Sequence, residues 1–380
     1  MFKQIISFKN LLRSYYKARR NKRSRRKLQK IEINFENQLI NVGNQLKKGL
    51  YKPKQYHQFL VYEPKLRQIS APALIDRIVQ HAIINIIEPV FDRQFIPNTF
   101  ACRKGKGAHL CLRQASACYK KIAKKHAIFY ALKCDIKSYF ANIDHLILIN
   151  FLSQSISCQK TLKLLTTIIN SYQDSPKKGI PIGNLTSQLF ANIYLHPLDI
   201  FVTKKLKEKN YFRYMDDFVI LSPDKNYLKN LKIKIKNFLE NNLELQLHPR
   251  KSNIFRADRG LDFVGYMIKP TTISMRKKTL RRYKKRHKKR LKQFKKYKKR
   301  LKDIQNCSQL ALFVDVQNKQ KNSNPQTEHL KEKIKTLRTK LRASRNSFKG
   351  FLQYSEYKRL KSGGVEVNGI IIPKIFPKKK

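Results

Sequence analysis

Two adjacent aspartates, Asp216 and Asp217, interrupt a run of aromatic and aliphatic residues between positions 212 and 221. Phe, Tyr, Val and Ile favour strands, so the run is predicted to form a β-hairpin with buried arms and with both acids at its tip. Neighbouring carboxylates repel each other, which raises the pKa of each, and bound divalent cations remove that cost. The pair is therefore a candidate metal site, and an ordinary solvated Asp-Asp turn is the alternative.

A third acid, Asp135, ends the apolar run at 129–134. If that run is a strand beside the hairpin, Asp135 and Asp216 converge although 81 positions separate them. Carboxylates placed in this way would hold two Mg²⁺ ions about 3.5–4 Å apart, an arrangement suited to in-line displacement at phosphorus. One ion lowers the pKa of an attacking hydroxyl, and the other neutralises a leaving pyrophosphate. The three acids therefore predict nucleotidyl transfer.

The charge of the chain indicates the class of its partner. Among 380 residues, 84 are Lys or Arg and 24 are Asp or Glu, which gives a formal net charge of +60. Such a charge repels itself unless a polyanion offsets it, so nucleic acid is the expected partner. Hydrophobic residues make up 41% of the chain, which is enough for a packed core and argues against a disordered basic tail.

Cysteine spacing and the N-terminal residues bear on the compartment. The six cysteines include no C-x-x-C pair, so a zinc knuckle is not expected and reduced thiols are favoured over disulfides. Lys and Arg interrupt every apolar stretch of the first 27 residues, so neither a signal peptide nor a membrane span is expected. The apolar positions there have helical spacing, which predicts an amphipathic helix docked on the body; a membrane surface, a mitochondrial presequence or RNA are alternatives. The expected location is the cytoplasm, for a protein encoded by a bacterium or a phage.

Periodicity and turn residues divide the rest of the chain into elements. The predicted helices cover residues 35–50, 76–91, 148–169, 184–198, 228–243, 276–301 and 328–349. The predicted strands cover 58–69 (two short strands), 129–134, the hairpin at 212–221 and a second hairpin at 365–372. The helix at 276–301 is strongly basic, and a polar linker is predicted at 318–326. The apolar stripe of that basic helix comprises Leu280, Tyr283, His287, Leu291, Phe294, Tyr297 and Leu301.

Three segments in order resemble the palm motifs of reverse transcriptases. They are the strand ending at Asp135 with Tyr139-Phe140, the box GIPIGNLTSQ at 179–188, and YMDD at 214–217. YMDD alone would be a weak signal, but three ordered motifs are a strong one. Segments 63–67, 76–80 and 101–107 resemble the fingers of bacterial enzymes, 248–252 resembles the lysine-bearing motif after the catalytic hairpin, and 262–266 resembles the primer-grip turn. Together the matches cover most of residues 35–362.

The box also carries a finer resemblance. Most bacterial relatives, such as group II intron and retron enzymes, have Gln before the Gly of the box and Ser-Pro at its end. This chain has Ile182-Gly183 and Ser187-Gln188 instead, which is similar to the reverse transcriptases of diversity-generating retroelements. That resemblance implies error-prone copying of a template RNA, with errors at adenines, and a small basic helical-bundle accessory protein as a partner.

The resemblance implies roles for individual residues at the catalytic centre. Asp135 and Asp216 would bind two Mg²⁺ ions with the Ile136 carbonyl as a further ligand, and Asp217 would be a supporting acid. Phe140 would be the steric gate against a 2′-hydroxyl, or else a plain core aromatic. Lys251 would protonate or neutralise the leaving pyrophosphate, a role that the abundance of lysine leaves open.

The remaining roles concern the incoming deoxynucleoside triphosphate and the RNA/DNA duplex. Lys65 and Arg67 would clamp the triphosphate, or else be solvated hairpin charges. Gly183 would let backbone approach the nascent base pair, with Ile182 beside it, and Ser187 and Gln188 would face template or nucleotide. The implied nucleic-acid contacts are Tyr214, Met215, Gly265, Tyr266, Arg281, Lys284, Lys285 and Lys288.

The expected fold is an α/β right-hand polymerase with fingers, a palm of antiparallel sheet plus helices, and a helical thumb. The expected boundaries are a basic N-terminal helical extension at 1–35, fingers at 36–128 with a return at 146–178, palm at 129–268, thumb at 270–362 and a tail at 363–380. Beyond residue 271 the acids are scattered singly with no His or Cys cluster, so no RNase H or endonuclease domain is expected. Two alternatives remain open: a group II intron-like or antiphage-defence reverse transcriptase, and an RNA-binding maturase without polymerase activity.

Overall fold

The computed structural model describes residues 1–20, 34–63, 65–314 and 325–352, and three short strands between 358 and 372. The chain forms two compact units, residues 1–258 and 259–380, and each is described by itself. None of the helices in these described parts is both long and apolar enough to cross a membrane.

The first unit contains nine α-helices and six strands among its described residues. The helices are α1 (Phe2–Ile6), α2 (Phe8–Arg19), α3 (Phe35–Lys48), α4 (Leu74–Asp92), α5 (Ala108–Lys125), α6 (His145–Ser153), α7 (Gln159–Asn170), α8 (Leu185–Ile200) and α9 (Lys225–Leu243). The strands are β1 (His57–Val61), β2 (Arg67–Ala71), β3 (Tyr130–Asp135), β4 (Tyr211–Tyr214), β5 (Asp217–Ser222) and β6 (Asn253–Arg256). A 3-10 helix spans Tyr139–Asn142, and a π-helical turn spans Phe201–Lys205.

The N-terminal segment docks on the body as its helical periodicity predicts. Leu11, Tyr15 and Ala18 recur at intervals of three and four residues along α2, and all three side chains are buried. The Asn10 side chain donates to the carbonyls of Ile5 and Ala82, 3.0 Å from each, which ties α1 and α2 to α4.

A four-stranded antiparallel sheet with the order β4-β5-β3-β6 forms the centre of this unit. Its apolar side chains are buried on β3, at Ala131, Leu132 and Cys134, and on β5, at residues 218–221. The predicted strand at 129–134 and the predicted hairpin are therefore confirmed. A separate two-stranded antiparallel hairpin, β1-β2, matches the prediction for residues 58–69.

Three details differ from the sequence-based predictions. Tyr214 pairs with Asp217, so the hairpin tip consists of Met215 and Asp216, and the prediction that both acids lie at the tip is wrong for Asp217. The single helix predicted at 148–169 is two helices, α6 and α7, because a Ser-Ile-Ser-Cys stretch of poor helix formers separates them. Helix α5 and strand β6 have no counterpart among the predicted elements.

The second unit begins with a three-stranded antiparallel sheet, β7 (Leu261–Phe263), β8 (Tyr266–Ile268) and β9 (Ile273–Met275). Two long helices follow, α10 (Lys277–Val314) and α11 (Pro325–Leu352). The C-terminal strands β10 (Lys358–Arg359), β11 (Val365–Val367) and β12 (Ile370–Ile372) form another small antiparallel sheet.

The apolar stripe predicted on the basic helix is the face by which α10 packs on α11. The Tyr283 ring stacks on Phe348 with a centroid separation of 3.8 Å, and Phe294 packs with Leu337 and Leu341. The predicted hairpin at 365–372 corresponds to β11 and β12. The polar linker predicted at 318–326 lies outside the described residues up to 324, and its last two residues belong to α11.

Candidate active site

Three carboxylates meet at one end of the central sheet. Asp135 is the last residue of β3 and lies directly opposite Asp217, the first residue of β5. Asp216 immediately precedes Asp217 in the tight turn of the β4-β5 hairpin. Antiparallel neighbours in register have their Cα atoms about 5 Å apart. The sheet register therefore brings acids that are distant in sequence to the same edge.

The negative charges of the three carboxylates at this edge repel one another. Burial, together with the negative charge of Asp135, raises the pKa of Asp216, although the positive charges of Arg67 and Lys251 work against the rise. Burial also raises the pKa of Asp217 to about 6, with the nearby carboxylates adding to the effect. Each ionised carboxylate therefore costs free energy in the absence of a further cation.

Two lysines partly compensate this negative charge. The Lys133 ammonium lies 3.4 Å from one carboxylate oxygen of Asp217, and the Lys251 ammonium forms an ion pair with Asp135. The other carboxylate oxygen of Asp217, Oδ1, is buried without a hydrogen-bond partner among the described residues. The compensation is therefore incomplete at Asp217.

The donor chemistry of this edge fits a divalent metal ion. Carboxylate oxygens are the ligands that Mg²⁺ prefers, and the partnerless Asp217 oxygen together with the raised pKa values shows a local deficit of positive charge. In the described residues, no group of three His, Cys, Asp or Glu side chains is arranged to hold a metal ion. The backbone of Ile136, whose carbonyl was predicted as a ligand, forms an antiparallel bridge with Leu247.

The segment at 248–252 forms hydrogen bonds with the backbone carbonyl of Asp135. The His248 amide donates to the Asp135 carbonyl at 2.7 Å. The Ser252 hydroxyl donates to the same carbonyl at 3.2 Å. This segment holds Lys251 against the Asp135 carboxylate, so the structure places the predicted lysine in the site.

The β1-β2 hairpin contacts the box segment at residues 179–188. The Ser70 amide of β2 donates to the Ile182 carbonyl at 2.9 Å. Gly183 has a φ of +128°, and a Cβ there would lie 3.0 Å from both Ile69 Cγ2 and the Ser70 carbonyl oxygen. The missing side chain of Gly183 therefore makes room for strand β2. Arg67 is exposed at the start of β2, and its positive charge opposes the rise in the pKa of Asp216.

The other predicted nucleotide-site residues have mixed environments. Phe140 is half-buried in the 3-10 helix, and its ring meets Tyr139 edge to face. In α8, Gln188 is exposed, whereas Ser187 is only 2% exposed and its side chain lies inside the unit. Lys65 is exposed beside the β1-β2 hairpin.

The predicted nucleic-acid contacts lie in both units. Tyr214 and Met215 are half-buried beside Asp216 in the first unit. In the second unit, Gly265 forms the β7-β8 turn with a φ of +90°, and Tyr266 is fully buried. On α10, Arg281, Lys285 and Lys288 are exposed and Lys284 is half-buried.

Sequence reasoning missed three charged residues near the site. Arg213 and Asp199 form an ion pair whose side chains are 0% exposed, and Lys133 contacts Asp217. The available signal was one basic and one acidic residue embedded in otherwise apolar elements, since fully buried charges are rare unless they are paired.

Comparisons with known proteins identify a family and several relatives. The family model described as reverse transcriptase (RNA-dependent DNA polymerase) matches residues 50–268. Protein YkfC of Escherichia coli is 26% identical over 271 residues, which cover 59% of this chain and 69% of that protein. The group II intron-encoded protein LtrA of Lactococcus lactis is 24% identical over 306 residues, which cover 62% of this chain and 50% of LtrA. The chain thus spans about half the length of LtrA.

Solved structures with similarity to the chain include telomerases of two yeasts. Telomerase from Candida albicans in complex with a fragment of telomeric RNA has a TM-score of 0.44 at 13% identity, covering 60% of this chain and 46% of that one. Apo telomerase from Candida tropicalis also has a TM-score of 0.44, at 12% identity, covering 62% of this chain and 53% of that one.

Proposed function

The chain belongs to the reverse transcriptase (RNA-dependent DNA polymerase) family, and from this we propose that it copies a template RNA into DNA by metal-assisted nucleotidyl transfer at Asp135 and Asp216. Family membership, together with the helices and antiparallel sheets described above, confirms the predicted fold class, the α/β right-hand polymerase. The expected limits of fingers, palm and thumb remain part of the proposal.

The observation that carries the proposal is the register of the central sheet. Asp135 lies opposite Asp217 with Asp216 adjacent in the turn, and burial with mutual repulsion raises the pKa of Asp216 and Asp217. A fold gains nothing from three acids crowded at one buried edge, whereas a site for divalent cations needs them.

The residues of the site would divide the work of the reaction. Asp135 and Asp216 would hold two Mg²⁺ ions, with the Ile136 carbonyl as a further ligand and Asp217 as a supporting acid. When bound there, one ion would lower the pKa of an attacking 3′-hydroxyl and the other would neutralise the charge on a departing pyrophosphate. The Lys251 ammonium forms an ion pair with Asp135, and there it would neutralise or protonate the leaving group.

The surrounding side chains would select and hold a deoxynucleoside triphosphate. Arg67 acts electrostatically on Asp216, so its guanidinium would donate paired hydrogen bonds to a triphosphate bound there, and Lys65 would add a second positive charge. Phe140 would stack under the deoxyribose and exclude a 2′-hydroxyl. Gln188 is the exposed member of the Ser187-Gln188 pair, so it would be the one that meets template or nucleotide.

The second unit would hold the duplex. The turn at Gly265 and Tyr266 would support the primer, and the exposed basic residues of α10 would follow the phosphate backbone without reading sequence. Binding of this kind depends on a high density of positive charge, which the Lys- and Arg-rich face of α10 provides.

We further propose that the enzyme is the error-prone polymerase of a diversity-generating retroelement. The support is the box, where Ile182 and Gln188 occur in place of the residues that most bacterial relatives carry. An aliphatic Ile182 removes a hydrogen-bond donor and acceptor near the nascent base pair, so discrimination would depend on shape alone. If Ile182→Gln leaves the error spectrum of the purified enzyme unchanged, this explanation of low fidelity fails.

Primer extension on an RNA template with Mg²⁺ and deoxynucleotides tests the polymerase proposal. Wild type should extend the primer and Asp216→Asn should not, whereas Asp303→Asn, which removes an exposed acid on α10, should extend normally. Activity retained by Asp216→Asn would contradict the assignment of the site.

Sequencing of the cDNA, made with and without a small basic helical-bundle accessory protein, tests the subtype. Errors concentrated at template adenines would support the diversity-generating role. Even, accurate copying would favour a group II intron-like or antiphage-defence enzyme, in line with the similarity to LtrA. Tight RNA binding without extension under any condition would favour a maturase role.

A further inference from the structure

A buried ion pair lies beneath the turn that carries Asp216. The Arg213 guanidinium on β4 donates through Nε to Asp199 Oδ1 at 2.7 Å and through Nη2 to Asp199 Oδ2 at 2.5 Å. Neither side chain is exposed. The paired geometry is the strong, two-point form of an arginine–carboxylate contact.

The acidic partner is fully satisfied by its surroundings. Besides the two bonds from Arg213, Asp199 accepts hydrogen bonds from the Tyr211 hydroxyl at 2.7 Å and the Thr99 hydroxyl at 3.0 Å. Even so, a buried ion pair is a weak source of stability, because desolvation offsets the attraction and apolar residues of similar volume often do as well. A role in placing nearby atoms accounts for this pair better than a role in stability.

The third guanidinium nitrogen of Arg213 contacts the turn formed by Met215 and Asp216. Its Nη1 donates to the Met215 carbonyl at 3.0 Å and to Asn192 Oδ1 at 3.2 Å. Met215 has a φ of +61°, a left-handed conformation that residues other than glycine rarely adopt. The Met215 carbonyl belongs to the peptide that leads into Asp216, so its direction determines where the Asp216 side chain begins.

The same arrangement joins the turn to the loop at 98–101. The Arg213 amide donates to the Asn98 carbonyl at 3.0 Å, and the Phe100 amide donates to the Arg213 carbonyl at 3.1 Å. The Asn192 side chain donates to the Ala101 carbonyl at 2.8 Å. The loop therefore fixes the backbone of Arg213, while Asp199 and Asn192 on helix α8 fix its guanidinium.

We propose that Arg213 is a positioning residue for Asp216. Its Nη1 holds the Met215–Asp216 peptide in the left-handed turn, and Asp199 serves as the buried counter-charge that fixes the guanidinium. This inference rests on the proposed function, because it assigns Asp216 the role of a metal-binding carboxylate. Misplacement of such a group by about 1 Å costs on the order of 100-fold in rate.

Two variants separate positioning from stability. Arg213→Lys keeps the charge opposite Asp199 but loses the planar fork that reaches the Met215 carbonyl. Tyr211→Phe removes one donor to Asp199 and leaves that fork intact. Both changes lose a buried hydrogen bond and should lower the melting temperature, but only Arg213→Lys should disturb the turn.

Two quantities are measured at a temperature where all variants are folded. Mn²⁺ binding is monitored by the electron paramagnetic resonance signal of the free ion, and primer extension gives kcat and KM. Binding that disappears in Asp216→Asn defines the site. Arg213→Lys should weaken that binding about 10-fold and lower kcat about 10-fold or more, with little change in KM for template–primer. Tyr211→Phe should match wild type in both measurements.

Equal Mn²⁺ binding and equal kcat in Arg213→Lys and Tyr211→Phe would overturn the inference and leave the proposed function standing. A wild type with neither Asp216-dependent Mn²⁺ binding nor primer extension would overturn the proposed function and the inference with it. If Arg213→Lys does not fold, Asn192→Ala retains the ion pair and removes one acceptor of Nη1. It should weaken Mn²⁺ binding a few-fold, and unchanged binding would overturn the inference.

Discussion

Replacing Asp217 by asparagine is expected to stabilise the metal-free protein, although it removes a carboxylate of the candidate site. The Asp217 side chain is largely buried, one of its oxygens has no hydrogen-bond partner among the described residues, and two other acids lie beside it. Asparagine has nearly the same shape and no charge, so it avoids the free energy that the ionised form costs. The substitution should therefore increase the stability of the fold even though it impairs catalysis.

The size and sign of the effect follow from the pKa of Asp217. A rise from the ordinary value of 3.8 to about 6 corresponds to about 3 kcal/mol, at about 1.4 kcal/mol per pKa unit. Because 30% of the side chain is exposed, about half of this, roughly 1.5 kcal/mol, is expected. A raised native-state pKa means that the native state binds the proton more tightly. The contribution of Asp217 to stability is thus complete below pH 3.8 and is lost as the pH rises to about 6.

Thermal unfolding in a metal chelator, at pH 7.5 and pH 4.5, measures the effect. At pH 7.5 Asp217→Asn should melt about 3 °C above wild type, and the difference should narrow at pH 4.5. Added Mg²⁺ should raise the melting temperature of wild type more than that of the variant. As a control, Asp262→Asn loses an ion pair with Arg276 and should melt at or below wild type. An Asp217→Asn protein that melts at or below wild type at pH 7.5 would refute the reasoning.

Three further outcomes are expected. Gly183→Ala should lower the free energy of unfolding, measured with denaturant, by more than Gly49→Ala does. Both glycines have positive φ, which costs alanine about 1 kcal/mol, but only at Gly183 would the Cβ press on strand β2; equal losses would contradict this. Tyr51→Phe should lower the free energy of unfolding by about 1–3 kcal/mol, because the buried Asp76 carboxylate loses a hydrogen-bond donor. Tyr62 is exposed, so Tyr62→Phe should leave stability almost unchanged, and thermal unfolding of the two variants compares them. Lys288→Gln should weaken duplex binding alike for all sequences and reduce the slope of log affinity against log salt by about 1; an unchanged slope would remove Lys288 from the interface.

Local patterns predicted most of the elements correctly. The strand ending at Asp135, the β4-β5 hairpin and the basic helix α10 follow from runs of strand-forming residues or from apolar spacing along the chain. Errors occurred where the local signal is poor. The break between α6 and α7 depends on a few weak helix formers, and whether Asp217 lies in the turn or in the strand depends on pairing with Tyr214.

The sequence by itself determined the family, the order of the motifs and the identity of the three acids, because those are properties of neighbouring residues. Only the tertiary structure decided which distant residues act on those acids. The ion pair of Lys251 with Asp135, the contact of Lys133 with Asp217 and the bond from Arg213 to the turn all join separate elements. Nothing in local spacing encodes such contacts, because they depend on strand register and helix packing, which are set by burial over the whole unit.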